Sequence, residues 1–92
     1  MANVIVAPAA WKALDDLIRT RSLPTSARGR VVAVMVSLRV YPDRGRPLVG
    51  RWAGLRCVLG PWPWMLIVYG VDQESESVYV VTIQDARTAA SA

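Results

Sequence analysis

The feature that most constrains this chain is the run from Trp64 to Val71, in which every residue except Gly70 is apolar or aromatic. An extended chain of that composition has two faces to bury, because successive side chains point to opposite sides. A helix could also bury the run. Its short length, its β-branched and aromatic residues and the proline at Pro63 favour a strand that begins after that proline. We therefore predict a central strand here.

The composition limits the size and the partners of the protein. A chain of 92 residues is long enough for one small core, so we predict a single domain over residues 1–92. No apolar run approaches the length of a membrane span and no signal-peptide pattern is present, so we expect a cytoplasmic protein without membrane contact. The formal charge of +4 comes almost wholly from arginine, which suits an acidic protein partner or a nucleic acid. The single cysteine, Cys57, excludes an internal disulfide and is expected in the core.

The first third of the chain predicts a strand followed by a helix. Residues 4–6 form a short β-prone run, and Pro8 stands where a helix tolerates a missing N–H. Apolar residues then recur at helical spacing, including Trp11, with charged residues on the other side. We expect this helix to end by Ser22, since Leu23 precedes a proline and is pushed toward extended geometry.

A second helix is predicted after Thr25 and Ser26, which could cap it. Its apolar stripe consists of Ala27, Val31, Val34, Met35 and Leu38. A second stripe beside it consists of Val32, Val36 and Val40. The β-branched residues between 31 and 36 would equally suit a strand, so the pattern alone leaves both alternatives open.

The remaining segments predict an antiparallel meander. Residues 42–45 form a turn with proline and glycine, residues 46–54 are loop-like, and strands are expected at 55–59, 64–71 and 78–83. Residues 88–92 are expected to form a frayed tail. The fold class is therefore α+β, in the order β-α-α-β-β-β, with a helical hairpin packed on a small antiparallel sheet.

An ordered set of five short patterns carries a resemblance to a known family. They are the helical hairpin, Leu38-x-x-x-Pro42-x-x-Gly45-Arg46-Pro47-Leu48, Gly54-Leu55-Arg56, Trp62-Pro63-Trp64 running into Leu66-Ile67-Val68-Tyr69-x-Val71-Asp72, and Val80-x-x-Ile83-x-x-Ala86-Arg87. Together they cover nearly the whole chain and resemble the RelE/ParE superfamily of bacterial type II toxins. The aromatic-Pro-aromatic sequence and the closing Ala86-Arg87 are more similar to the ParE branch than to the RelE branch.

The resemblance implies a small toxin that a cognate antitoxin neutralises. ParE-type members poison DNA gyrase, whereas RelE-type members cut messenger RNA on the ribosome. A toxin-fold protein that has lost its activity and serves as an interaction module is a further alternative. The sequence does not decide among these targets, nor between a monomer, a homodimer and a heterotetramer with the antitoxin.

The residue types in this chain favour a ParE-like binding function over RNA cleavage. Activating a 2′-hydroxyl requires a general base and a general acid, and this chain has no histidine. Its only lysine, Lys12, falls in the first helix, and Leu66 stands where the RelE branch usually carries an arginine. We therefore expect a binding toxin that is not an enzyme, with a RelE-like endoribonuclease as the alternative. Neither a metal-ligand cluster nor a phosphate-binding glycine pattern is present, and no cofactor is expected.

Candidate site residues follow from charge, aromatic character and the resemblance. The candidates for target binding are Arg51, Trp52, Arg56, Trp62 and Arg87. Arg56 and Arg87 are also the only catalytic candidates, because they match basic positions of the resembling family. The second stripe, Val32, Val36 and Val40, is the candidate surface for the antitoxin, since a core of this size has little room to cover it.

Overall fold

A computed structural model describes residues 3–87, so the predicted tail at 88–92 lies outside the described residues. The helices are α1 (Pro8–Thr20) and α2 (Ala27–Ser37), and the strands are β1 (Asn3–Val6), β2 (Arg46–Pro47), β3 (Arg56–Leu59), β4 (Met65–Asp72) and β5 (Ser77–Asp85). A single 3-10 turn, Gly50–Trp52, lies between β2 and β3. The α+β fold class is confirmed.

Both helices begin and end for local reasons. Pro8 occupies the first turn of α1 after the extended Ala7, and the helix ends before Ser22, as predicted. Residues 31–36 lie within α2, so the strand alternative for them is wrong. The predicted cap is also wrong, because Ser26 has helical dihedral angles and its side chain caps nothing. The N–H of Ala27 is instead satisfied by the Pro24 carbonyl at 2.9 Å.

The five strands form one sheet in the order β1-β5-β4-β3-β2, which places β4 at the centre as predicted. Strands β3, β4 and β5 form the expected antiparallel meander. Two features differ from the prediction. β1 pairs in parallel with β5, which makes the sheet mixed, and β2 adds a short edge strand where a loop was expected. A bulge interrupts the pairing of β4 with β5 between Val68 and Tyr69.

The helices cover one face of the sheet and form the core with it. The fully buried side chains of that core include Leu14 and Val31 from the helices and Met65, Ile67 and Tyr69 from β4. On the opposite face of β4, Val68 is also buried but Leu66 is only half-buried, so the predicted cover of both faces is complete on the helix side and partial on this one. Within residues 3–87, no helix has the length and apolar character needed to cross a membrane.

Candidate binding site on the sheet face

The face of the sheet that lies away from the helices carries a pocket of about 380 Å³, here called the sheet-face pocket. Its lining residues come from β2 to β5 and the segments that flank them: Arg46, Leu48, Trp52, Cys57, Leu59, Leu66, Val68, Gln84 and Ala86. Strand pairing explains this set, because Arg46 lies opposite Cys57 and Cys57 lies opposite Val68. Directly paired residues share a face of the sheet, so these side chains form a row across its floor.

The loop between β2 and β3 places Trp52 over this floor. The N–H of Leu48 donates to the carbonyl of Leu55 at 2.8 Å, which closes the loop, and Leu55 in turn donates to the Trp52 carbonyl at 3.0 Å. Gly50 and Gly54 flank the aromatic residue with φ of 70° and 92°, a region that side chains with a Cβ rarely adopt. These backbone contacts continue the pairing of β2 with β3 and fix the loop, and Trp52 forms an aromatic wall of the pocket.

Among the lining residues that the structure describes, Arg46 alone carries a charge. Every other arginine has a hydrogen bond, an ion pair or a ring contact within the described chain, whereas Arg46 has none. Arg51 lies nearby, with its guanidinium carbon 5.7 Å from the centre of the Trp52 ring. The lining of this largely apolar pocket therefore includes an arginine that has no partner within residues 3–87 and can meet an anion.

Arg56, although adjacent to Cys57 in sequence, belongs to the other face of the sheet. It pairs with Tyr69, and its guanidinium donates to the Gly45 carbonyl at 2.7 Å and lies 3.8 Å from an Asp43 carboxylate oxygen. The structure therefore does not bring this predicted site residue together with Arg51 and Trp52. Its contacts hold the turn that precedes β2.

Tyr69 holds the same turn from within the core. Its hydroxyl donates to the Pro42 carbonyl and accepts from the Gly45 N–H, both at 2.8 Å. Burial raises the pKa of the phenol above its ordinary value, while the hydrogen bond from Gly45 and the charge of Arg56 oppose that rise. The hydroxyl is thus a neutral structural group that is already engaged, and it is not free to act as a base.

Trp62 lies among the helices and not in the sheet-face pocket. Its ring stacks on that of Trp64 with the centres 6.3 Å apart, and both rings pack against the core. The guanidinium of Arg30 lies 4.7 Å from the centre of the Trp62 ring, and that of Arg21 lies 4.6 Å from the centre of the Trp64 ring. Arg21 also forms an ion pair with Asp85. This predicted target-binding residue is therefore occupied by internal contacts.

Arg87 follows the end of β5, next to a residue that lines the pocket. Its side chain is 74% exposed and reaches the Asp85 carboxylate at 3.4 Å. Its N–H donates to the same carboxylate at 2.9 Å. Of the five predicted target-binding residues, Trp52 lines the sheet-face pocket, Arg51 contacts Trp52, Arg87 lies beside Ala86, and Trp62 and Arg56 are elsewhere.

The second valine stripe lies on the exposed side of α2. Val32, Val36 and Val40 remain 36%, 48% and 53% exposed. Val32 and Val36 also line a groove of about 400 Å³ between α2 and the edge strand β1, here called the helix groove. The prediction that this stripe is left uncovered by the core is confirmed, whereas its role in binding an antitoxin stays a prediction.

The chemistry that the sheet-face pocket offers is apolar contact and a single positive charge. Arginine stays protonated at any physiological pH, and Gln84 is not titratable. The described lining contains no carboxylate and no histidine, and the side chain of Cys57 is buried. The described residues also contain no group of three or more potential metal-ligating side chains.

The sequence analysis missed most of the residues that line the pocket. Leu59, Leu66 and Gln84 line it because Leu66 pairs with Leu59 on one side and with Gln84 on the other. Successive side chains of a strand point to opposite faces of the sheet. This alternation along β3 and β4 could have predicted that Leu59 and Leu66 face away from the core. Arg46 had no such signal, because a two-residue edge strand cannot be seen in a local pattern.

Comparisons with known proteins give relatives by structure alone. No protein-family model matches the chain, and no curated protein matches its sequence. Among solved structures, the isolated RelE toxin of Escherichia coli superposes with a TM-score of 0.65 at 18% identity, over 94% of this chain and 85% of that one. A YoeB/ParE toxin from Agrobacterium tumefaciens gives 0.69 at 16% identity, over 90% and 96%.

A third solved structure is the toxin-antitoxin complex RelBE2 from Mycobacterium tuberculosis. A chain of that complex superposes with a TM-score of 0.59 at 21% identity, over 91% of this chain and 90% of that one. These matches span both chains almost completely, so the arrangement of helices and strands is shared from end to end. The fold of this chain is that of the RelE/ParE toxins.

Proposed function

We propose that this protein is the toxin of a type II toxin-antitoxin system. The shared fold supports the proposal, as do the five sequence patterns that resemble the family. The antitoxin would dock on the helix groove and on the valine stripe that adjoins it. That surface is apolar, belongs to an edge of the fold and is left uncovered by the chain itself.

The antitoxin part of the proposal can be tested on one exposed valine. Val36→Asp introduces a charge into the apolar surface and should abolish co-purification with the product of the neighbouring reading frame. Val49→Asp is the matched control, because Val49 is 85% exposed in the loop before β3. It should leave the complex intact. Equal binding by both variants and the unchanged protein would contradict docking at this surface.

We further propose that the toxin acts by binding DNA gyrase and not by cutting RNA. The observation that carries this step is the lining of the sheet-face pocket, which among the described residues holds no carboxylate and no histidine. Leu66 also stands in that lining at the position where the resembling RelE branch usually carries an arginine. RNA cleavage without a base and an acid loses the factor of about 10²–10⁴ that each supplies. The similarity of residues 62–64 and 86–87 to the ParE branch supports gyrase as the target.

The mode of action is tested by two assays on the same purified protein. Supercoiling of relaxed plasmid by gyrase should be inhibited, while messenger RNA on translating ribosomes stays intact. Cuts in ribosome-bound messenger RNA together with normal supercoiling would replace this proposal with a RelE-like endoribonuclease. No effect in either assay, from a protein that still binds its antitoxin, would identify an inactive interaction module.

A further inference from the structure

We propose that the sheet-face pocket binds an extended acidic segment of a protein, with one aliphatic side chain in the pocket and a carboxylate on Arg46. This inference rests on the proposed function in one respect, namely that the target is a protein. It goes beyond that function by assigning a site and the chemistry of its ligand.

The walls of the pocket favour an aliphatic side chain over a nucleobase. Leu48, Leu59, Leu66 and Val68 surround the cavity, and Leu59 remains 53% exposed in the free protein. A base that entered would leave most of its polar edges facing aliphatic groups, because the described lining offers it few neutral hydrogen-bonding groups, chiefly the Gln84 amide and the indole N–H of Trp52. A leucine or isoleucine side chain has no polar group to desolvate, so its transfer from water into the pocket is favourable.

The charge at the rim selects an acidic segment. Within residues 3–87 Arg46 has no partner, Arg51 adjoins the lining residue Trp52, and the 74% exposed Arg87 adjoins the lining residue Ala86. The acidic residues nearest in sequence are already paired, Asp43 with Arg56 and Asp85 with Arg21 and Arg87. The free charge at this face is therefore positive, which complements carboxylates placed one or two residues from the aliphatic side chain.

The loop that carries Trp52 makes the pocket ready for such a segment. Two backbone hydrogen bonds of 2.8 and 3.0 Å hold the loop around Leu55 before any ligand arrives. A preformed aromatic wall loses little entropy on binding. β2 is an edge strand of only two residues, one of which is Pro47, so a bound segment is held beside Arg46 by side-chain contacts and not by strand pairing.

The experiment uses the full chain and a synthetic probe. The probe is a capped pentapeptide with one leucine between two pairs of aspartates. The comparison ligands are the same peptide with lysines in place of the aspartates, and a pentamer of uridine. Methyl NMR signals of Leu59, Leu66 and Val68 report on the pocket, and those of Val32 and Val36 report on the helix groove.

The acidic peptide should shift the pocket methyls and leave the helix-groove methyls in place. Arg46→Gln should weaken its binding about fivefold at low salt, since an exposed ion pair contributes little more than that. Arg19→Gln is the matched control, because Arg19 is 74% exposed and pairs with Asp16 on α1. It should change binding less than twofold. Replacing leucine by alanine in the peptide should weaken binding about tenfold or more.

Three outcomes would overturn the inference: pocket shifts caused by the uridine pentamer instead of the acidic peptide, equal binding of the acidic and basic peptides, or shifts confined to the helix groove. The supercoiling assay separates this result from the proposed function. Gyrase inhibition without peptide binding at the pocket refutes the site alone. Peptide binding at the pocket without gyrase inhibition refutes gyrase as the target and keeps the site.

Discussion

Replacing Tyr69 by phenylalanine removes one oxygen atom and takes the side-chain partner from a buried N–H, that of Gly45, and from a part-buried carbonyl, that of Pro42. The phenol is fully buried and bridges the Pro42 carbonyl and the Gly45 N–H at 2.8 Å each. A neutral hydrogen bond contributes about 1 kcal/mol, and an orphaned buried donor costs about 1–3 kcal/mol. The two effects together predict a loss of about 2–4 kcal/mol in the free energy of unfolding.

That loss is large for a domain of this size. Small domains have an unfolding free energy of roughly 0.05–0.15 kcal/mol per residue, so Tyr69→Phe should remove a substantial part of the total. Urea unfolding followed by tryptophan fluorescence should show a lower midpoint with an unchanged slope. Tyr79→Phe is the matched control: Tyr79 is 38% exposed and its hydroxyl has no partner among the described residues. It should change stability by less than about 0.5 kcal/mol.

Hydrogen exchange tests the cause of the loss as well as its size. The Gly45 amide should be protected in the unchanged protein and should exchange much faster in Tyr69→Phe, because its acceptor is gone. For amides in the middle of β4, the exchange rate should change only as much as the change in global stability requires. The bridging role of the phenol is wrong if Tyr69→Phe and Tyr79→Phe unfold at the same urea concentration. It is also wrong if the Gly45 amide exchanges at the same rate in these two variants.

Three further predictions concern the same framework. The pKa of Tyr69 is raised in the folded state above its unfolded value of 10.0. The contribution of this shift to stability is therefore complete below pH 10 and is lost as the pH rises from there through the folded pKa. Urea midpoints measured between pH 8 and 12, with Tyr69→Phe as the reference, check this prediction. Arg21→Gln should cost about 1–2 kcal/mol by thermal unfolding, because it removes an ion pair with the mostly buried Asp85 and the cation above an indole ring. Gly45→Ala should lower the free energy of unfolding by about 1–3 kcal/mol, since its Cβ would lie 2.6 Å from a backbone oxygen of β3. Its control is Gly29→Ala in α2, where the added Cβ meets nothing within 4 Å. That variant should raise the free energy of unfolding by about 0.5–1 kcal/mol in the same assay.

Sequence patterns were sufficient where a local cause decides the structure. The apolar run ending at Val71 forms the central strand, and the helical spacing around Trp11 forms α1, because each element carries its own periodicity. The parallel partner of β1 could not be predicted this way, since nothing in residues 3–6 specifies which distant strand they join. The edge pairing of Arg46 with Cys57 depends on the same kind of long-range contact.

The candidate site was only partly predictable for the same physical reason. Arg56 and Cys57 are neighbours in a strand, so their side chains must face opposite sides of the sheet. Which side holds the pocket is decided by the helices, which occupy the other face. Arg51, Trp52 and Arg56 were predicted to belong to one target-binding set, but the structure places Arg56 on the other face, where it supports a turn. Trp62 was assigned to that set as well, although it packs near the helices.

The parallel pairing of β1 with β5 has a consequence for how the chain folds. Asn3 pairs with Ser77, and α1 packs against β5, so an early strand and an early helix both depend on the last strand to be made. Contacts so distant in sequence form late, because closing a long loop is entropically unfavourable. A ribosome that has synthesised only the first three quarters of this chain therefore carries helices with no completed sheet beneath them. Premature termination before Ser77 should yield an unfolded product that proteases remove, and not a weaker version of the folded protein.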